Sequence, residues 1–186
     1  SPFDRPITAS RELAFLVAPL ADVKAIGASR PTRTTVNDVL LAIVAGGLRT
    51  WLGVGQTAAP HLHAQVPVSL HHRDEGTSDL GNRDSFINVD NAVQRVAKSA
   101  REFSVSISNV PGPPSPITVA ERKVQHLFSS SEPAAHHALR ISAISCAGDI
   151  GIGLCTDPQA LPDVARLAVA IENSYTELRS AAVGTQ

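Results

Sequence analysis

The stretch from Thr35 to Leu52 is apolar on almost every side, and this limits what the chain can become. Val36, Val39, Leu40, Ile43, Val44, Leu48 and Trp51 recur at helical spacing, while Leu41, Ala42 and Ala45 fill the other faces. Such a helix is buried against several neighbours at once, so the chain must fold around it in more than one layer. Ala45-Gly46-Gly47 lets a second backbone come close, at some cost in helix propensity. Thr35 and Asp38 stand three apart at the start, the spacing of a capping box. The cap accounts for Asp38 better than a supporting role in catalysis does. It accounts for Asn37 less well, because a polar amide in the first turn of a buried helix needs partners. Asn37 is therefore a candidate to face a site.

The rest of the chain alternates between strand and helix periods. Strands are expected at Arg11–Ala18, His63–Leu70, Ser85–Val89, Phe103–Ser108, Lys123–Ser129 and Ala138–Cys146. Asp149–Cys155 returns antiparallel to the last of these, around a turn near Gly148-Asp149. Helices are expected from Pro19 to Ala28, from Asn91 to Glu102 and from Pro162 to Ala181. The last carries Val164, Leu167, Ala168, Ile171, Tyr175 and Leu178 on one stripe. Asn109 to Pro114 reads as a rigid turn, with Pro111-Gly112 at the centre of a type II turn. This mixture predicts an α/β fold with a mixed sheet.

Composition excludes some functions. A net charge of −1 argues against a nucleic-acid partner, whose phosphates call for a basic excess. The most apolar run, Val39–Leu48, is too short to cross a bilayer about 30 Å thick. Seven histidines invite a metal, yet none has a cysteine or carboxylate at a ligand spacing, so solvated loop histidines are preferred. Pairing about the expected turn sets Cys146 near Gly151 and Cys155 near Ser142, so the two cysteines are read as buried thiols in a reducing cytoplasm. Gly148, Gly151 and Gly153 reverse the dinucleotide fingerprint and lie between two strands, so that reading is discarded. No Walker motif and no G-x-S-x-G elbow is present. There is no methionine, at position 1 or elsewhere, and the expectation is a fragment or processed product with no signal peptide at its start.

Several short motifs then fall in one order. Thr35-Val-Asn37-Asp38-Val-Leu-Leu-Ala resembles the T-V-N-D-V-V-L-A helix of the bacterial wax ester synthase/diacylglycerol acyltransferase (WS/DGAT) family. Val66-Pro67-Val68-Ser69-Leu70 resembles its V-P-V-S-L strand, and Leu80-Gly81-Asn82-Arg83 its L-G-N-R loop. Ser108-Asn109-Val110-Pro111-Gly112-Pro113 resembles its S-N-V-P-G-P turn. Ala147-Gly148 through Gly153-Leu154, with Asp157, resembles its closing hairpin. Each motif is weak alone; in sequence order they are specific, and they span nearly the whole chain.

The resemblance implies a mixed-sheet lobe of the two-lobed fold shared with chloramphenicol acetyltransferase and condensation domains. It implies that residues 1–186 form the C-terminal lobe of an enzyme that moves an acyl group from acyl-coenzyme A to diacylglycerol or a fatty alcohol. In the family the base is the second histidine of an H-H-x-x-x-D-G motif in the N-terminal lobe, which takes the hydroxyl proton as oxygen attacks the thioester. This chain lacks that motif: His71-His72 and His136-His137 lack its aspartate and glycine at the right spacing. By resemblance Asn37 orients substrate or steadies charge, with Asp38 in support. Gly81, Asn82, Arg83, Ser108, Asn109, Pro111 and Gly112 shape the acyl or acceptor path, against a purely structural reading of the same turns. The implied partners are the N-terminal lobe, acyl-coenzyme A as co-substrate and the acceptor lipid, with no resident cofactor. The implied place is the cytoplasm, with the inner membrane or lipid inclusions as surfaces of contact. A non-catalytic module that binds lipid, an acyl carrier or a partner is the alternative. The family has a longer stretch between its L-G-N-R and S-N-V-P-G-P motifs, so residues are expected to be missing near 90–91 and 100–103.

Overall fold

The apolar helix takes the central place that its sequence demands. In the computed structural model, which describes residues 3–53, 62–69, 84–90, 104–133 and 136–184 (backbone alone for 67–69 and 84–90), it runs from Val36 to Trp51. It follows strand β1 (Glu12–Pro19) and helix α1 (Leu20–Ala28), and is labelled α2. Thr35 caps it as expected. Thr35 Oγ1 accepts from the Asp38 amide at 3.2 Å, and Asp38 Oδ2 accepts from the Thr35 amide at 2.8 Å and its hydroxyl at 2.7 Å. These bonds hold the Asp38 carboxyl below its usual range. Such a cap is worth about 1 kcal/mol.

Strands β2 (His63–Ser69), β3 (Asp84–Asp90) and β4 (Val105–Pro111) follow. A two-residue-per-strand hairpin, β5 (Thr118–Val119) and β6 (Arg122–Lys123), precedes β7 (Leu139–Cys146) and β8 (Asp149–Thr156). Helix α3 (Val164–Val183) closes the described chain, its first turn capped by Asp163, whose carboxylate accepts from the Arg166 amide at 3.1 Å. One sheet holds six strands in the order β1-β8-β7-β4-β2-β3. The β7–β4 and β4–β2 neighbours are parallel and the others antiparallel, so the sheet is mixed as predicted.

Alternation sorts the strand side chains onto two faces. Leu16 and Ala18 of β1, Leu139, Ile141 and Ala143 of β7, and Ile150, Ile152 and Leu154 of β8 share one face by register. That face packs on the helices: Leu16, Ala18 and Ile152 line one crevice with Ile43 of α2 and with Ile171 and Tyr175 of α3. Between the helices, Gly46 and Gly47 of α2 meet Ser174 and Ile171 of α3 so closely that a Cβ on Gly47 would stand 2.6 Å from Ile171 Cα. Tyr175 donates to Asp22 of α1 at 2.6 Å, beside Arg179 at 3.0 Å. Burial, and then that carboxylate, pushes the Tyr175 hydroxyl up to about 12. At the far end of β8, buried Asp157 accepts from the Thr8 and Gln159 amides and anchors the N-terminal segment. The first of these bonds holds its carboxyl below the usual range.

Three expectations are corrected. The β7–β8 turn is Ala147-Gly148, both at positive φ as a two-residue type I′ hairpin requires. It pairs Cys146 with Asp149 and Cys155 with Arg140; both cysteines are buried and free. Asn109 to Pro111 do not form a turn but continue β4, opposite Ala143, Ile144 and Ser145. Gly112 is not at positive φ, so Pro111-Gly112 is no type II turn. Its glycine serves close approach instead, since a Cβ there would collide with the Ser145 carbonyl. Lastly, of the expected Lys123–Ser129 strand only Lys123 pairs, with Thr118 of β5. The helix expected at 91–102 lies outside the described residues, as do the junctions at 90–91 and 100–103 on their far sides.

Candidate substrate face

Among the described residues, the face of the sheet turned away from the helices is covered only in part, by a strap. Residues 124–133 leave the small hairpin and cross this face without regular secondary structure. Gly151 and Gly153 of β8 make the crossing fit. A Cβ at either position would strike the Leu127 or Ser129 carbonyl oxygen. Ser142 of β7 donates to the Ser129 carbonyl at 2.7 Å, Phe128 packs on Phe15 with ring centroids 5.0 Å apart, and His126 lies 3.2 Å from Asp149. The two glycines thus belong to strap packing, which the discarded fingerprint reading did not foresee. Their i, i+2 spacing within a strand, which puts both on one face, was the available signal.

Beyond the strap, no described residue covers this face toward its β1 edge, where it is apolar. Leu13 is 48% exposed, Phe15 47%, Val17 36% and Phe128 37%. By register Leu13, Phe15 and Val17 stand on the same side as Cys155, Gly153 and Gly151. Burial pushes the Cys155 thiol up, so its sulfur is held neutral rather than readied as a nucleophile.

The expected site residues are distributed as follows. Ser108 is half-buried on the bare face, in register with Ser142. Asn109 is half-buried and turns to the opposite face, in register with Ala143, so the Ser108-Asn109 pair is split across the sheet. Pro111 is exposed at the end of β4, and the Gly112 amide donates to Ser145 Oγ at 3.3 Å. Asn37 is half-buried in the first turn of α2, and among the described residues no hydrogen bond engages its amide. The Asp38 carboxylate is committed to the cap. Gly81, Asn82, Arg83, His71 and His72 lie outside the described residues. His136 is exposed and His137 stands 3.7 Å from Asp4. Among the described residues no group of three histidine, cysteine or carboxylate side chains could hold a metal.

Comparison with known proteins adds to this geometry. The profile of the WS/DGAT C-terminal domain matches residues 85–179, about half of the chain. A Mycobacterium tuberculosis protein that bears the name diacylglycerol O-acyltransferase is 24% identical over 228 residues, covering 96% of this chain and 45% of the relative. O-acyltransferase WSD of Acinetobacter baylyi is 25% identical over 193 residues, covering 77% of this chain and 41% of the relative. The chain therefore spans less than half the length of these relatives. Among solved structures, the wax ester synthase/diacylglycerol acyltransferase of Marinobacter aquaeolei VT8 superposes with a TM-score of 0.75 at 24% identity, over 97% of this chain and 51% of that one. The condensation domain that releases chains from the enacyloxin polyketide synthase superposes with a TM-score of 0.63 at 12% identity, over 95% and 42%. The mixed α/β lobe expected from the sequence is thus the observed fold.

Proposed function

The chain belongs to the WS/DGAT C-terminal domain family, and from that premise we propose that it is one lobe of an O-acyltransferase that moves an acyl group from acyl-coenzyme A to diacylglycerol or a fatty alcohol. One observation carries the two-lobe reading. Among the described residues the helices pack on one face of the sheet, and the other face exposes Leu13, Phe15 and Val17 of β1 beside Phe128 of the strap. Contiguous exposed apolar surface on a sheet face marks a place that something else covers. The relatives have more than half their length outside the matched region. We assign the cover to that remainder, as a facing lobe, and the space between to a substrate tunnel.

The chemistry follows from the partition. The facing lobe supplies the H-H-x-x-x-D-G histidine, which takes the hydroxyl proton as the oxygen attacks the thioester carbon. The tetrahedral oxyanion collapses, the C–S bond breaks, and the proton passes to the leaving thiolate. This lobe supplies walls and hydrogen bonds: we assign Ser108 to the tunnel wall, and keep Asn37 and Asn109, on the helix side of the sheet, and Gly81-Asn82-Arg83 as residues that shape the acyl or acceptor path from outside that face, with no resident cofactor. Lipid substrates are met from the cytoplasm at a membrane or lipid-inclusion surface. Among the described residues no helix is long and apolar enough to cross a membrane.

The alignment with the Mycobacterium tuberculosis relative runs 228 positions, whereas 96% of this chain is about 179 residues. About 49 positions thus lack a counterpart somewhere along this chain, and we place the missing residues near 90–91 and 100–103.

In the full-length protein, Asn37→Ala is expected to lower acyl-transfer turnover about tenfold, the effect of one lost transition-state hydrogen bond. The same variant should leave the melting temperature within about 2 °C, since Thr35 and Asp38 still cap the helix. Equal losses of activity and thermal stability would return Asn37 to a structural role.

A further inference from the structure

Three side chains that carry hydrogen-bond donors stand in one row across the face turned away from the helices, where it is buried rather than bare. Gln65 of β2 is in register with Ser106 of β4, and Ser106 with Arg140 of β7. Their chain neighbours Val105, Leu139 and Ile141 turn the other way, into the core. Ser106 is only 4% exposed, and among the described residues its Oγ has no hydrogen-bond partner. The Nε of Arg140 is likewise buried and, among the described residues, without a partner. Among the described residues no carboxylate forms an ion pair with Arg140.

A guanidinium stays charged at any pH a protein meets, so it cannot escape burial by losing its proton. Arg140 as a whole is half-buried, and taking its Nε from water is costly unless an acceptor meets it. A buried hydroxyl with nothing to bond carries a similar penalty. At adjacent register positions both penalties are relieved together by one group with several acceptor oxygens and a negative charge. A neutral ester or alcohol would satisfy the hydroxyl and leave the cation unpaired.

We propose that Gln65, Ser106 and Arg140 form an oxyanion-binding subsite that takes a carboxylate or phosphate group of a substrate or product. The planar fork of Arg140 meets two oxygens at once, while Ser106 and Gln65 donate from the neighbouring strands. The subsite lies on the face assigned above to substrate, and the choice of probes rests on that acyl-transfer reading. Two sources share the chemistry: the phosphates of coenzyme A and the carboxylate of a fatty acid.

The test is calorimetric titration of the full-length protein with coenzyme A and, separately, with octanoate. Wild type is compared with Arg140→Gln, Arg140→Lys and Ser106→Ala. At least one probe binds wild type, about tenfold more tightly than Arg140→Gln. Arg140→Lys falls between, because it keeps the charge and loses the fork. Ser106→Ala weakens binding severalfold and, as a near-isosteric change, carries the test if Arg140→Gln does not fold. Binding of coenzyme A alone identifies the phosphate source, and of octanoate alone the carboxylate source. No binding of either, or equal affinity in all four proteins, overturns the subsite; the row would then be paired within the complete protein. Acyl transfer measured on the same preparations separates the two ideas. Transfer without arginine-dependent binding sinks the subsite alone, and arginine-dependent binding without transfer sinks the acyltransferase reading alone.

Discussion

Gly47→Ala is expected to lower the melting temperature by about 4–8 °C, although alanine is the better helix former. Propensity alone would favour alanine by about 1 kcal/mol. The contact reverses that sign. The new Cβ would stand 2.6 Å from Ile171 Cα and 2.8 Å from Ile171 N, and both are backbone atoms of α3 that cannot rotate aside. The helices must part, and forced overpacking of a well-filled core costs about 1–3 kcal/mol. Parting α2 from α3 also loosens Ile43, Val44 and Leu48 against Leu167 and Ile171, all of the one core. Because the clash is with backbone, the cost falls at the upper end of that range, and the net loss of about 2 kcal/mol corresponds to the stated shift for a domain of this size. Gly46 provides the comparison, since its Cβ would meet the Ser174 side chain, which a second substitution can remove. Gly46→Ala with Ser174→Ala should therefore recover stability, whereas no side-chain change on Ile171 rescues Gly47→Ala. Thermal melts of the four proteins decide this, and a Gly47→Ala protein as stable as wild type would contradict the packing account.

Gly151→Val is expected to release the strap while leaving the sheet intact. Valine suits a strand in general. Here its side chain would occupy the place of the Leu127 carbonyl and crowd Phe128 Cδ1, which lies 2.9 Å from where a Cβ would be. Residues 124–133 would have to lift. The bond from Ser142 to Ser129, the Phe15–Phe128 contact and the His126–Asp149 pair would go with them. Hydrogen exchange should show amides in 124–133 exchanging at least about tenfold faster, with β7 and β8 still protected. Unchanged exchange in the strap would mean that the glycines answer to something other than its passage.

The helices were legible because their signal is local. The Thr35–Asp38 cap and the 3.6-residue stripes of α2 and α3 need no partner to be recognised. The strap was not, because Val124 to Ser129 carries strand-forming residues, yet lies across β8 rather than beside a strand. Only long-range packing separates those two outcomes. The same holds for Pro111-Gly112, where turn chemistry predicted a reversal and the approach to Ser145 explains the glycine without one. Of the candidate site, the motif order pointed to Asn37 and Ser108. The Gln65–Ser106–Arg140 row was invisible, because it exists only once strand register places residues far apart in sequence side by side. Ser108 and Asn109 were read as one unit, yet strand alternation sends them to opposite faces.

The central claim is that this lobe works only against a second one. The most direct measurement is transfer of labelled acyl groups from acyl-coenzyme A to diacylglycerol and to a long-chain alcohol. It compares the full-length protein, the 186-residue chain alone, and that chain mixed with the separately produced remainder. The account predicts ester formation by the full-length protein, none above background by the chain alone, and partial recovery on mixing. Full-length protein that transfers to neither acceptor, or a chain that turns over alone at the full-length rate, would contradict it.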